Sequence, residues 1–181
     1  MERRGRTNMQ VNLQPLRAGD HDRLAEVDGG NGWNADPALW ETYWDDQESG
    51  RRLVIIAWDG ERPVGYGTLI WEPDYEPFRA TGIPEISNLG VDIKVRGQGV
   101  ATEIIRHFEG CAKQAGRTMI GLGVGLYADY GPAQSLYFTL GYRPDGRGIT
   151  YAARQVSPGE SVRLDDDLVL WLSKRLSPPR L

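Results

Sequence analysis

The spacing of hydrophobic and polar residues predicts that strands and helices alternate along most of the chain. Apolar runs, or alternation with a period of two, predict strands at residues 11–16, 52–58, 63–71, 86–91, 119–126, near 142 and at 168–172. Apolar spacings of three and four predict helices that begin at Asp20, Asp36-Pro37, Val100 and Gly131-Pro132. Asp59-Gly60 indicates a hairpin, and the acidic and aromatic residues 73–82 are predicted to form a loop. The order of these elements is that of a mixed α/β domain.

The helix that begins at Val100 has the clearest pattern, and Gly116 supplies its end. Its apolar positions are Val100, Ile104, Ile105, Phe108, Cys111, Ala112 and Ala115. Two glycines, Gly97 and Gly99, precede it and allow a ligand to approach the backbone closely. The first amides of a helix have no partner within the helix, and its dipole is positive at that end. This junction is therefore predicted to bind an anion, most naturally phosphate.

The second half of the chain reads as β-α-β-α-β, which requires a parallel pair of strands joined by a crossover helix. Gly121, Gly123 and Gly125 alternate in the strand after that helix and leave one of its faces without side chains. Such a pattern indicates a bulge or a close neighbour, such as a ligand or another backbone.

Composition narrows the functional classes. A net charge of −4 and an isoelectric point near 5.3 argue against a general nucleic-acid or anionic-membrane binder. The single cysteine, Cys111, excludes an intrachain disulfide and a multi-cysteine metal site. No apolar run reaches the length of a membrane span, and no apolar region follows the arginine-rich start. We therefore expect a cytoplasmic protein with no nucleic-acid or membrane partner.

Two other phosphate-binding motifs can be tested directly. The chain contains no Gly-x-x-x-x-Gly-Lys-Ser/Thr, which excludes a P-loop. A dinucleotide fingerprint that began at Gly97 would need glycine or alanine where Thr102 stands. The nicotinamide alternative is therefore weak.

Two segments together resemble the GCN5-related N-acetyltransferase (GNAT) superfamily. The first is Arg96-Gly97-Gln98-Gly99-Val100-Ala101, which matches its Gln/Arg-x-x-Gly-x-Gly/Ala signature and follows Leu89-Gly90-Val91 at the usual distance. The second is Ala133-Gln134-Ser135-Leu136-Tyr137-Phe138-Thr139-Leu140-Gly141-Tyr142, which is similar to the Ala-x-x-Leu-Tyr-x-x-x-Gly-Phe segment. The chain departs from the family at Ile93, where many members have proline, and at Tyr130 or Gly131, where asparagine is usual.

The resemblance implies a GNAT-like α/β fold in a single domain at residues 11–176, between tails at residues 1–10 and 177–181. The expected sheet is mostly antiparallel, with about six to seven strands, and is splayed at the parallel pair of its fourth and fifth strands. About four helices flank it. Exposed strand edges also allow a homodimer.

The resemblance further implies acetyl-CoA as cosubstrate, no metal, and direct attack by a primary amine in a ternary complex. The implied cofactor-binding residues are Leu89, Gly90, Val91, Arg96, Gly97, Gln98, Gly99, Val100, Ala101 and Thr102. Leu89 and Val91 would act through their backbone groups, and the Val91 N–H would polarise the thioester carbonyl as an oxyanion hole does. Arg96 either adds charge to the site or is simply a solvated arginine on a turn.

Tyr137 is the predicted general acid, because the departing thiolate needs a proton. Proton transfer from a phenol of pKa ~10 to the thiolate of a thiol of pKa about 8.5 is uphill by roughly 2 kcal/mol, which a positioned hydrogen bond can offset. The alternative is that Tyr137 only packs. Glu85 is the first candidate for the base that deprotonates the amine. Glu72, Asp74 and Glu76 are alternatives that would act through water, and each can equally be an ordinary solvated carboxylate.

The acceptor is left open between a small-molecule amine and a protein amine. Aromatic residues beside acids suit a cationic amine, although a core with a solvated rim explains most of them equally well. They are Trp33, Trp40, Tyr43, Trp44, Tyr75 and Phe78. An alternative function is a non-catalytic acyl-CoA-binding or sensing module.

Overall fold

The computed structural model describes residues 8–25 and 36–177, which contain eight strands and five α-helices. In chain order these are β1 (Asn12–Pro15), α1 (Asp20–Ala25), α2 (Pro37–Glu48), β2 (Arg52–Asp59), β3 (Arg62–Ile70), α3 (Glu76–Thr81), β4 (Glu85–Val91), α4 (Val100–Gln114), β5 (Met119–Gly125), α5 (Gly131–Thr139), β6 (Arg143–Tyr151), β7 (Arg154–Gln155) and β8 (Leu168–Arg175). They fall into two compact units, one within residues 1–69 and 88–107, the other within 70–87 and 108–181.

The first unit contains the strand order β1-β2-β3-β4. β1 is antiparallel to β2, and its register runs from Asn12 opposite Trp58 to Pro15 opposite Ile55. α2 begins as predicted, because the Asp36 carboxylate accepts a hydrogen bond from the Ala38 N–H (3.0 Å) and caps the helix. The core of this unit consists of Leu16, Leu24, Trp40, Tyr43, Val54, Ile56, Trp58 and Tyr66.

The second unit contains the first residues of β4 (85–87), followed in the sheet by the order β5-β8-β6-β7. β4 is parallel to β5, with Glu85 opposite Gly121 and Ile86 opposite Leu122. β5 is antiparallel to β8 along its whole length, from Met119 opposite Arg175 to Gly125 opposite Val169. The parallel pair predicted between β4 and β5 is therefore confirmed, as is the mixed α/β fold.

The alternating glycines of β5 make room for side chains. A Cβ atom at Gly121 would collide with the Phe78 ring, and one at Gly125 would collide with the Tyr130 ring. At Gly123 it would stand 2.7 Å from the Val169 side chain. The close neighbours are thus mostly aromatic rings, where the sequence pattern indicated a ligand, a backbone or a bulge.

Three features differ from the sequence predictions. The structure has eight strands instead of six to seven, and five helices instead of about four. The predicted loop at residues 73–82 contains α3, which is too short for its periodicity to be recognised and is anchored by the buried Phe78. The polar sequence after Tyr142 forms β6 and β7, because β8 supplies hydrogen-bonding partners to β6 while most β6 side chains stay in solvent.

Some predictions lie outside the described residues. They concern residues 1–7 of the predicted N-terminal tail, Trp33, and residues 178–181. Within the described ranges, none of the helices combines the length and the apolar character that crossing a membrane would require.

Candidate active site

A buried aspartate holds the start of the turn that links β4 to α4. Asp92 is completely buried, and one of its carboxylate oxygens accepts a hydrogen bond from the Lys94 N–H (2.9 Å). Its other oxygen pairs with the Arg62 guanidinium. The Asp92 N–H donates to the Val64 carbonyl (3.0 Å). Since burying a charge is costly unless it is paired, these contacts determine the path of the short 3₁₀ turn at Ile93–Val95. The sequence prediction missed Asp92, although an aspartate two residues before a turn amide is a typical cap.

Gly97 and Gly99 shape the rest of the turn. Their φ angles are +78° and +92°, which residues with a side chain rarely adopt. No atom lies within 4 Å of the position of a Cβ at Gly97. Gly97 is therefore required for its backbone conformation, and the surface beside it is open.

The first amides of α4 form a set of available donors. The Glu103 N–H donates to the Gly99 carbonyl (3.0 Å), which is the first bond that closes the helix. Within the described residues, the amides of Val100, Ala101 and Thr102 make no backbone hydrogen bond outside the helix. Ala101 and Thr102 are also partly exposed. Such a helix start suits an anion.

Arg96 and the segment before β1 brace this turn. The Arg96 Nε donates to the Val91 carbonyl (3.2 Å), so the side chain spans the turn it belongs to. The Met9 N–H donates to the Gln98 carbonyl (2.9 Å). A Cβ at Gly99 would stand 2.9 Å from the Asn8 Oδ1, so the Asn8 side chain lies directly against that glycine. Two residues within the predicted N-terminal tail thus contact the predicted phosphate turn.

Close packing positions the end of β4. A Cβ at Gly90 would stand 2.6 Å from the Tyr66 ring, and one at Gly65 would stand 2.9 Å from the Val100 side chain. Asn88 has a φ of +51° in the middle of β4, a conformation that asparagine tolerates better than most residues. Its side chain hydrogen-bonds to Tyr43, whose pKa is raised by burial. Gly65 and Asn88 were not singled out by the sequence prediction, because neither belongs to a motif.

Tyr137 lies in α5, which is tied to the end of β5. The Gln134 Nε2 donates to the Gly125 carbonyl (2.8 Å), and the Tyr137 carbonyl accepts from the Tyr142 N–H (3.0 Å). The Tyr137 side chain is only 8% exposed, and its ring meets that of Tyr142 edge-on with 6.2 Å between centroids. Burial raises the pKa of Tyr137 to about 12. The Tyr137 side chain therefore packs against Tyr142, and with its raised pKa it is a weaker acid than a free tyrosine.

Tyr142 is itself fixed by a buried ionic group. The Tyr142 hydroxyl donates to the Glu109 Oε1 (3.2 Å), and the Lys174 Nζ donates to the same oxygen (2.8 Å). Tyr142 is completely buried, and burial together with the Glu109 carboxylate raises its pKa strongly. The ring against which Tyr137 packs is thus held in one position.

Tyr130 is one of the two residues, with Gly131, that stand where the GNAT pattern has asparagine. Its hydroxyl donates to the Asp166 Oδ1 (2.9 Å), and the Tyr127 hydroxyl contacts the same oxygen. Its ring covers Gly125. An anchored aromatic ring therefore covers the end of β5 at this part of the chain.

Glu85 shares a face of the sheet with an aromatic cluster. Because Glu85 is directly opposite Gly121 in the parallel register, both residues point to the same face. That is the face on which the Phe78 ring covers Gly121. The other carboxylates considered as bases, Glu72, Asp74 and Glu76, are exposed.

The cluster itself consists of Tyr75, Phe78 and Trp171. The Tyr75 and Trp171 rings are stacked with 4.1 Å between centroids and an angle of 3° between their planes. The Tyr75 hydroxyl donates to the Asp145 Oδ2 (2.7 Å), and the Trp171 Nε1 donates to the Thr150 Oγ1 (2.8 Å). Burial and the Asp145 carboxylate raise the pKa of Tyr75. Tyr75 and Phe78 are therefore core residues, as Trp40 and Tyr43 are in the first unit.

Comparison with known proteins extends these observations. The sequence pattern of the Acetyltransferase (GNAT) family matches residues 23–142. No curated protein matches the chain. Among solved structures, a protein from Desulfovibrio desulfuricans assigned to the GNAT family is 12% identical with a TM-score of 0.70, covering 93% of this chain and 100% of that one.

Two further structures contain the expected cosubstrate or its product. yncA from Salmonella typhimurium, solved with its cofactor acetyl-CoA, is 13% identical with a TM-score of 0.65, covering 96% of this chain and 98% of that one. An aminoglycoside 6′-N-acetyltransferase complexed with coenzyme A is 17% identical with a TM-score of 0.65, covering 93% and 99%. At these identities the likeness shows the fold.

The family pattern spans well over half of the chain and includes both motifs on which the sequence resemblance rests. Its fold is shared with the solved acetyltransferases over nearly its whole length. The chain therefore belongs to the GNAT family of acetyltransferases.

Proposed function

We propose that this protein is an acetyl-CoA-dependent N-acetyltransferase that transfers the acetyl group to a primary amine by direct attack in a ternary complex. The observation that carries the proposal is the set of amides at the start of α4, behind the left-handed glycines Gly97 and Gly99. Amides and a helix dipole oriented in this way suit a diphosphate. Acetyl-CoA supplies that diphosphate and the thioester.

The residues present fit this cosubstrate. The open surface at Gly97 and the partly exposed Ala101 and Thr102 leave room for phosphate oxygens. Arg96 keeps its positive charge near the turn while its Nε braces the Val91 carbonyl. We assign diphosphate binding to residues 97–102, and binding of the acyl arm to the backbone of Leu89, Gly90 and Val91.

We propose Tyr137 as the general acid. Burial raises the pKa of Tyr137 to about 12, so complete proton transfer from Tyr137 to the departed thiolate, whose thiol has a pKa of about 8.5, is uphill by about 5 kcal/mol. Tyr137 therefore acts by sharing its proton with the departing sulfur in a hydrogen bond, which strengthens as negative charge grows on the sulfur.

We propose Glu85 as the base. An alkyl ammonium of pKa ~10 is mostly protonated at neutral pH and must lose a proton before it can attack. Glu85 is partly buried and lies on the face of the aromatic cluster. Glu72, Asp74 and Glu76 are exposed and would need a bridging water.

The test is release of free thiol from acetyl-CoA with a panel of small amines, together with calorimetric titration of coenzyme A. The wild-type protein should bind coenzyme A and turn over with at least one amine. Tyr137→Phe should lower kcat by about 10²- to 10⁴-fold with the Kd for coenzyme A unchanged. Tyr151→Phe is the matched control. It also removes one tyrosine hydroxyl, which donates to Asp165 from the end of β6, and it should leave kcat unchanged. If the protein bound coenzyme A tightly but turned over with no amine, the proposed acetyltransferase activity would be refuted and the acyl-CoA-sensing alternative favoured.

A further inference from the structure

A pocket in the second unit lies between α3 and the β6–β7 hairpin. It is lined by Tyr75, Pro77, Arg147, Thr150, Ala153 and Gln155. Apolar groups and neutral polar groups form most of its wall, and Arg147 is the one charged residue among them. The residues that line the pocket are therefore uncharged except for the Arg147 guanidinium.

The wall is held in place by hydrogen bonds. The Asp145 carboxylate accepts from the Tyr75 hydroxyl (2.7 Å) through one oxygen and from the Arg147 N–H (2.9 Å) through the other. The Gln155 Nε2 donates to the Arg147 carbonyl (3.0 Å). The backbone of Arg147 is thus bonded on both sides, so the base of its side chain is fixed relative to the Tyr75 ring.

The Arg147 guanidinium differs from those of its neighbours. Arg154 pairs with Glu160, and Arg163 lies 3.6 Å from Asp165. Within the described residues, the Arg147 guanidinium takes part in no ion pair or side-chain hydrogen bond. Its charge acts on the Tyr75 hydroxyl, where it partly offsets the rise in pKa that burial and Asp145 cause. A guanidinium in this position is available to a carboxylate, which it binds in a two-pronged geometry.

The pocket adjoins the face that carries the proposed base. Tyr75, in its wall, is stacked on Trp171 and packs edge-on against Phe78, with 5.0 Å between the centroids of the two residues. Phe78 in turn covers Gly121, which lies directly opposite Glu85. A molecule seated on Tyr75 is therefore on the same side of the sheet as Glu85.

We propose that this pocket binds a carboxylate of the acceptor through Arg147, so that the acceptor is an amine that also carries a carboxylate, of the amino-acid class. Thr150 accepts a hydrogen bond from Trp171 (2.8 Å), which leaves its hydroxyl proton to donate to the same carboxylate. Tyr75 and Pro77 contact the apolar body of the acceptor. This inference rests on the proposed acetyltransferase function and specifies its substrate.

The experiment compares pairs of amines that differ only in the carboxylate. Phenylalanine with phenethylamine, tyrosine with tyramine, and lysine with cadaverine are each assayed for thiol release from acetyl-CoA. The wild-type protein should favour the carboxylated member of at least one pair by roughly ten- to a hundredfold in kcat/KM. Arg147→Gln should abolish that preference by raising KM for the carboxylated amine, while kcat/KM for its partner stays the same.

Two further variants separate recognition from a general loss of charge. Arg163→Gln removes an arginine that is also exposed but lies beside Asp165, and it should leave the preference intact. Arg147→Lys keeps the charge without the two-pronged geometry and should restore part of the preference. The inference is overturned if the decarboxylated amines are the better substrates throughout, or if Arg147→Gln affects both members of a pair equally. Absence of turnover with every amine would instead refute the proposed function itself.

Discussion

The N–H of Met9 donates a 2.9 Å hydrogen bond to the carbonyl of Gln98, so the segment before β1 is attached to the turn before α4. Asn8 lies against Gly99 in the same place. A carbonyl that already accepts a hydrogen bond is less able to rotate, and rotation of this peptide would redirect the neighbouring amide. The proposed phosphate site is therefore partly shaped by residues about ninety positions earlier in the chain.

Met9→Pro tests this attachment, because proline has no N–H to donate. Loss of one hydrogen bond of about 1 kcal/mol predicts a roughly fivefold weaker Kd for coenzyme A, measured by calorimetric titration. Met9→Ala keeps the N–H and should bind as the wild type does. An unchanged Kd in Met9→Pro would show that the turn holds its shape without the attachment.

Gly97→Ala and Gly110→Ala form a matched pair with opposite expected signs. Neither glycine has an atom within 4 Å of its Cβ position, but Gly97 has a φ of +78° and Gly110 lies within α4. Alanine at 97 should cost about 1–2 kcal/mol of unfolding free energy and should weaken coenzyme A binding. Alanine at 110 should raise the free energy of unfolding by as much as about 1 kcal/mol. Urea unfolding monitored by circular dichroism measures both, and equal effects would contradict the role of the left-handed turn.

Asp92→Asn tests the buried support of the turn. The amide can still accept from the Lys94 N–H, but it no longer neutralises Arg62. Because the Arg62 side chain is 47% exposed, water compensates part of the loss. We therefore expect about 1–3 kcal/mol of destabilisation in urea, below the range for a fully buried pair. Asp59→Asn changes an exposed carboxylate at the end of β2 and should have almost no effect.

Stability should fall at alkaline pH as buried tyrosines ionise. Burial raises the pKa of Tyr66 and of Tyr137 to about 12 from an ordinary value of 10.0, so folding favours their neutral forms. Their contribution is complete below pH 10 and is lost progressively as the pH rises towards 12. Urea midpoints measured across this window should decline, and Tyr137→Phe should make the decline shallower. A parallel decline in the wild type and the variant would contradict the assignment for Tyr137.

Ala152→Gly should stabilise the β6–β7 hairpin. Ala152 and Ala153 have φ angles of +47° and +62°, so two alanines occupy the left-handed region in succession. Glycine relieves this strain but also makes the unfolded chain more flexible, which offsets part of the benefit. We expect the free energy of unfolding to rise by about 0.5–1 kcal/mol. The melting temperature should rise, whereas Ala128→Gly, within a short 3₁₀ turn, should lower it. Failure of Ala152→Gly to raise the melting temperature would show that the hairpin bears no such strain.

The sequence was most informative where one local pattern suffices. α4 could be predicted because apolar residues recur along four turns and Gly116 ends it, and β4 and β5 were recognised from their apolar runs. α3 was missed because six residues give too little periodicity, and its anchor Phe78 contacts distant residues. A strand was predicted near Tyr142, but the extent of β6 to Tyr151 was missed because its side chains are mostly exposed.

The candidate site shows the same division. The turn at residues 96–102, and with it the proposed phosphate site, could be predicted from a motif, because a glycine turn before a helix is encoded locally. The ion pair of Asp92 and the proposed role of Arg147 could not, since each depends on a partner far away in sequence: Arg62 for Asp92, and Tyr75 in the wall of the pocket for Arg147. A single aspartate or arginine carries no local signal of such a partner.

The bare face of β5 has a consequence for how this protein can change. Phe78 and Tyr130 occupy volume that a methyl group at Gly121 or Gly125 would claim. Neither glycine can therefore be replaced independently of the ring it accommodates. The aromatic residue must first be replaced by a smaller one, and only then can a larger residue replace the glycine. Redesign of this face of the strand is accordingly best begun by reducing Phe78, with Gly121 altered second to refill the space.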